Sequence, residues 1–288
     1  MSTTNESDHA YQPSADTVRA NAERFSGFAD LYDMARPTPP RLVADLLLSY
    51  LEVDPTSRPA GPVVVDVGCG TGLSTLIWHD RAALATGVDP SADMLALAAE
   101  KARKLGTDRV RFVSGDSTHL PFDNVSTDII TCSQSFHWME PRASLSEFHR
   151  VLVPGGVFAA LDCDWPPSIG REAEQLYESL LAAAERIALE RPWLSASRKW
   201  PKEKHLRNMR ASGLFRFSKE IVFHNIEQCD AGRFIAIAVS QGQVQSLLKV
   251  GVTENELALS AFREGIRGCL GATVRTLYVS YRMQLAVK

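Results

Sequence analysis

Three glycines and three acids stand where a chain can hold a nucleoside. Gly68, Gly70 and Gly72 alternate in VVVDVGCGTG (63–72), directly after an apolar run broken only by Asp66. A strand that passes into such a loop lets backbone approach a ligand that a Cβ would displace. The spacing departs from the GxGxxG of dinucleotide folds, because the third glycine falls one residue early. Asp89 ends the next apolar run, where a carboxylate can accept both hydroxyls of a ribose. That contact alone would serve NAD equally well. Asp116, in VSGDSTHLPF (113–122), ends the third run, and a carboxylate there can accept from an adenine amino group, which the NAD pattern lacks. SQSFHWME (133–140) then sets Gln134, Phe136, His137 and Trp138 at the end of a fourth run, facing the same crevice.

The elements that must position these residues alternate in period. GPVVVDVG (61–68) reads as a strand followed by a helix near 72–83, and ALATGVD (83–89) as a second strand. SADMLALAAEKARKLG (91–106) reads as a helix that Ser91 caps and Gly106 ends. VRFVSGD (110–116), TDIITCSQ (127–134) and VFAALDCDW (157–165) complete five strands, with a helix from Pro141 through Leu145, Phe148 and Leu152, ended by Pro154-Gly155-Gly156, before the last. This pattern predicts an α/β fold: a doubly wound, mostly parallel sheet that binds its ligand at the carboxyl ends of the strands. FSKEIVFHNI (217–226) and VRTLYVSYRMQLAV (274–287) alternate like antiparallel final strands, with two helical segments between them. Upstream, helices are expected over 17–35 and 41–53, the second burying Leu42, Leu46, Leu47 and Tyr50. The expected divisions are a disordered tail (1–20), N-terminal helices over the ligand (21–60), a binding core (61–165), a helical cap (166–215) and a completion of the sheet (216–288).

Composition narrows the function classes. Net charge is −3, from 31 basic and 34 acidic residues, so no overall field recruits nucleic acid or an anionic membrane. Five scattered cysteines without a CxxC pair predict reduced thiols in a cytoplasmic protein, with neither a disulfide framework nor a zinc site; no metal is expected. No run approaches the roughly eighteen apolar residues of a membrane span, and the N-terminus lacks the pattern of a secretory signal. The stretch 191–210, with Trp193 and Trp200, is locally basic and fits either a solvated helical face or a lid over an anionic acceptor.

VVVDVGCGTG, GVDPSADML, VSGDSTHLPF, SQSFHWM and RVLVPGG, in that order over residues 63–163, resemble the class I S-adenosylmethionine-dependent methyltransferases. LYDMARPTPP (31–40) and TLYVSYRMQLA (276–286) resemble the small-molecule branch that includes the trans-aconitate methyltransferases. The resemblance implies S-adenosylmethionine as cofactor. It places Gly68, Gly70 and Gly72 against the methionine part and Asp66 beside that part's amino group. Asp89 falls on the ribose, Asp116 and the Ser117 backbone on adenine, and Met94 on the adenine face. Tyr32 and Arg36 would lie near the cofactor carboxylate, which suits an Arg fork. Met94 fits the apolar stripe of its helix as well, and Asp66 could equally serve to orient the loop.

Methyl transfer requires alignment of donor and acceptor, exclusion of water and, for a protonated acceptor, a base. His137 is the candidate base or orienting group, weighed against a histidine that only holds its loop, and Gln134 a hydrogen-bonding partner for substrate or cofactor. Phe136, Trp138 and Trp165 are the expected pocket walls, whose faces suit a sulfonium. The expected reaction is methyl transfer to a small molecule, with a carboxylate or hydroxyl oxygen leading. The alternatives are N- or C-methylation of a natural-product intermediate, or a cofactor-binding protein without transfer.

Overall fold

A computed structural model describes residues 33, 35–191 and 199–288. Tyr32, Trp193, the expected tail and most of the expected helix 17–35 lie outside the described residues. Seven strands form one sheet in the order β3-β2-β1-β4-β5-β7-β6. They are β1 (Val63–Val67), β2 (Leu84–Asp89), β3 (Val110–Ser114), β4 (Thr127–Ser133), β5 (Leu152–Cys163), β6 (Phe217–Cys229) and β7 (Arg275–Val287). β1 to β5 pair in parallel, whereas β7 runs antiparallel to both β5 and β6. The order reverses at β1, which lies between β2 and β4, so a crevice opens beyond its carboxyl end.

Side chains alternate across a strand, and the continuous apolar runs therefore feed two cores. Val64, Ile129, Val157 and Ala159 pack into one, while Val65, Ile130, Phe158 and Ala160 pack into the other. The first core is closed by α1 (Leu42–Tyr50) and by α4 (Arg171–Glu190), α6 (Ala231–Val239), α7 (Gly242–Lys249) and α8 (Leu259–Leu270). The second takes Leu145, Phe148 and Val151 of α3 (Pro141–Val151) and Met209 of α5 (His205–Ala211). Between β2 and β3, α2 (Ala92–Leu105) starts where the Ser91 hydroxyl accepts from the Met94 amide and stops at Gly106, which is left-handed.

Three expectations change. Between β1 and β2 only Leu76–Trp78 is helical, as a single 3-10 turn. Ser74 and Thr75 turn their hydroxyls onto Asp66 instead of supporting a longer helix. α1 buries Val43, Ala44 and Leu47, while Leu42 is exposed and Tyr50 stacks on Phe217. Three helices, not two, separate β6 from β7. No helix among the described residues is long and apolar enough to cross a membrane.

Candidate functional site

The carboxyl ends of the parallel strands open onto one cavity of about 260 Å³. Its floor is the loop after β1. The Gly68 and Cys69 amides donate to the Val88 carbonyl at 2.7 and 3.1 Å, which pins the loop to β2. Gly70 has φ +52°, and a Cβ added there would meet nothing within 4 Å, because that space is the cavity. Asp89 Oδ2 accepts from the Gly70 amide and Oδ1 from the Ser91 amide, both at 2.9 Å. Each oxygen keeps a lone pair for a diol. Burial pushes the Asp89 carboxyl up, against the lowering effect of those two amides.

Asp116 uses Oδ1 for the Thr118 amide and hydroxyl and the His119 amide, leaving Oδ2 with capacity for a further donor. Ser117 lines the cavity and accepts from the Ser144 hydroxyl at 2.8 Å. Met94, buried in the first turn of α2, forms part of the wall. Arg36 reaches the cavity from the opposite side. Its Nη2 donates to the Ser240 carbonyl at 3.1 Å and to Gln241 Oε1 at 3.4 Å, and its guanidinium lies 5.0 Å over the Trp165 ring. Gln134 holds φ +54° at the end of β4 and accepts from Lys202 Nζ at 3.1 Å. Trp138 and Trp165 stand in the wall with them.

Four expected residues do not reach the cavity. Asp66 is fully buried and receives hydroxyls from Ser74 (2.6 Å), Thr75 (2.7 Å) and Thr131 (2.8 Å). Its carboxylate ties the loop to β4, and its burial beneath the loop keeps it from the cavity and from a ligand amino group. Gly72 (φ +81°) turns toward the core, where a Cβ would stand 2.8 Å from the Phe112 ring. Phe136 packs between Phe148, Phe158 and His205. His137 is buried beside Asp162, and desolvation pushes its pKa down to about 4. Neither its position nor its basicity suits a general base at neutral pH.

Sequence reading missed Thr71 and Glu140 as lining residues and named Trp200 only within a stretch left open between a lid and a solvated face. Thr71 carried a signal, since it lies inside the glycine loop; its hydroxyl donates to Asp33 at 2.6 Å. Trp200 arrives from that distant segment, and its amide donates to the His137 carbonyl at 2.8 Å. The Cys163 thiol also lines the wall, and burial raises its pKa to about 12, so it stays a neutral thiol.

A nucleoside-sized crevice at the switch point of a 3-2-1-4-5-7-6 sheet, with a carboxylate after each of β2 and β3, defines a nucleoside-binding α/β enzyme. Residues 65–160 match a family described as a methyltransferase domain. The demethylmenaquinone methyltransferase of Clavibacter sepedonicus is 34% identical over 171 residues, which cover 55% of this chain and 69% of that protein. The malonyl-[acyl-carrier protein] O-methyltransferase of Pectobacterium atrosepticum is 37% identical over 102 residues, covering 35% of this chain but only 38% of that protein. A putative type II methyltransferase from Anaeromyxobacter dehalogenans shares the fold, with TM-score 0.58 at 20% identity, over 88% of this chain and 97% of that one. The chain belongs to the class I S-adenosylmethionine-dependent methyltransferases. Its cofactor is S-adenosylmethionine, and the open space over Gly70 and the spare acceptors of Asp89 and Asp116 fit a nucleoside with an aminoacyl tail.

Proposed function

We propose that the chain methylates an oxygen of a small-molecule acceptor, and that this oxygen belongs to a carboxylate. One observation carries the reading: among the described residues no histidine, lysine or tyrosine lines the cavity. The ionisable groups in the wall are Arg36, Asp89, Asp116, Glu140 and the thiols of Cys69 and Cys163, both pushed up by burial. Glu140 spends its carboxylate on the Arg142 and Ala143 amides at the start of α3. A phenol, amine or carbon acid would need a base, and among the described residues the wall offers only carboxylates engaged with backbone amides, whereas a carboxylate acceptor is already ionised at neutral pH.

When bound, S-adenosylmethionine supplies a methyl group activated by sulfonium. The chain's own residues then have two tasks, alignment and exclusion of water. Asp89 and Asp116 would fix the nucleoside, and Arg36 and Gln134 would orient the polar ends of donor and acceptor. Trp138, Trp165 and Trp200 would close the wall with apolar surface and present aromatic faces to a cation. Lys199 lies 5.0 Å over Trp138, and Lys202 touches Gln134, so positive charge borders this end of the cavity. Both the O-methyltransferase relative and the resemblance to the trans-aconitate branch agree with an oxygen acceptor.

The demethylmenaquinone methyltransferase relative supports a second reading, methylation of a quinone-like ring against the three tryptophans. Incubation with methyl-labelled cofactor and a panel of carboxylates, phenols, amines and prenyl or quinone acceptors separates the two. A carboxylate product releases its label in alkali as a methyl ester does. An alkali-stable product confined to carbon or nitrogen acceptors would overturn the oxygen reading.

A further inference from the structure

Beneath the cavity wall, three buried side chains from separate segments converge. His137 comes from the 3-10 turn Phe136–Trp138, Asp162 from β5 and His205 from the start of α5. His137 Nδ1 lies 3.4 Å from Asp162 Oδ1, and His205 Nε2 lies 3.5 Å from Asp162 Oδ2. One ligand atom from each residue falls within 4.8 Å of the others. His205 is fully buried and the other two are 5% exposed.

These contacts are too long for hydrogen bonds between imidazole and carboxylate, which run at about 2.7–3.2 Å. Among the described residues His137 Nδ1 and both ring nitrogens of His205 have no hydrogen-bond partner, although buried nitrogens are normally paired. The two histidine–carboxylate spacings suit ligands of one ion. Nitrogen and oxygen ligands at about 2.0–2.2 Å from a tetrahedral metal stand roughly 3.3–3.6 Å apart.

We propose that His137, Asp162 and His205 form a site for one divalent transition-metal ion of the zinc class. Two imidazoles and a carboxylate are a ligand set such ions accept. Lys202 Nζ, 2.7 Å from Asp162 Oδ1, supplies the balancing charge when no ion is bound. Its side chain is 35% exposed and already touches Gln134 Oε1 at 3.1 Å, so it has an alternative partner when a divalent ion takes the carboxylate. Metal and ammonium therefore compete for Asp162. A bound ion would join the turn after β4, the end of β5 and α5, and through the Trp200 amide on the His137 carbonyl it would fix one wall of the cavity. This site stands on its own geometry and does not depend on which acceptor is methylated.

The test is titration of the chelator-stripped full chain with Zn²⁺ by calorimetry, and with Co²⁺ by visible absorption. One Zn²⁺ per chain is expected, with a four-coordinate Co²⁺ spectrum. Asp162→Asn and His205→Gln should each weaken binding at least about tenfold. Lys202→Met should strengthen it severalfold by removing the competing cation. Circular dichroism shows which variants are folded; if the ligand variants are not, the wild-type stoichiometry and the direction of the Lys202→Met change decide. Binding well below one ion per chain would overturn the site. So would affinity unchanged in folded Asp162→Asn, or weakened in Lys202→Met.

Discussion

Asp89 Oδ2 accepts the Gly70 amide at 2.9 Å, which makes the acid that ends β2 and the glycine loop after β1 one unit. The same carboxylate accepts the Ser91 amide at the start of α2. Asp89 thus holds the loop, the helix and the spare acceptors for a ribose in a single geometry. Because burial raises its pKa, cofactor affinity should begin to fall at a higher pH than an ordinary aspartate would dictate. The sign follows from the ionised form being the acceptor: affinity is present above the raised pKa and lost as pH falls through it.

Gly70 and Gly72 should fail in different ways. Gly70→Ala places a methyl in open cavity, so the fold should lose only about 1 kcal/mol from its left-handed backbone. Cofactor binding should fall at least tenfold. Gly72→Ala drives a Cβ to 2.8 Å from the Phe112 ring at φ +81°, and should cost about 2–4 kcal/mol of stability. Urea unfolding and S-adenosylhomocysteine titration of both variants measure the contrast. Equal stability losses would contradict it.

Glu147 should stabilise the segment that carries Asp116. Its Oε1 accepts the Leu120 amide and Arg150 Nη2, both at 2.7 Å, and its Oε2 accepts Arg150 Nε at 2.8 Å. The Arg150 hydrogen bonds, chiefly, hold its carboxyl below the usual 4.5. A depressed folded pKa adds stability that is complete above the unfolded value and lost as pH falls through the folded one. Glu147→Gln should therefore lose about 1–2 kcal/mol at pH 7, and progressively less below pH 4.5. Urea midpoints across pH, for both proteins, give that difference directly.

A wall with no histidine, lysine or tyrosine among the described residues predicts a flat profile. With a carboxylate acceptor, kcat should not change between about pH 6 and 8, because His137 has already lost its proton at about pH 4. A fall in kcat with an apparent pKa near 6.5 would return His137 to the role of base.

Much of this architecture was legible because local signals agreed with it. The apolar runs that became β1 to β5 needed only their continuity, and Ser91 and Gly106 marked the ends of α2 chemically. Asp89, Asp116 and the Gly68-x-Gly70 pair were legible because strand ends in a doubly wound sheet converge on one crevice. The inward turn of Gly72 and Asp66 was not, since sequence spacing does not say which side of a loop faces core. His137 misled for a related reason: it adjoins Trp138 in sequence, yet its ring faces Asp162 and His205. Trp200 and His205 come from a segment distant in sequence, and no local pattern ties them to β4.

The most direct test of the account is calorimetric titration of S-adenosylhomocysteine into the wild-type chain and Asp89→Ala at pH 7.5. One site per chain is predicted, weakened by about 2–4 kcal/mol in the variant, or roughly 30- to 1000-fold, as loss of two hydrogen bonds to a charged acceptor implies. Equal affinity in the two proteins would place the cofactor elsewhere and contradict the assignment of this cavity.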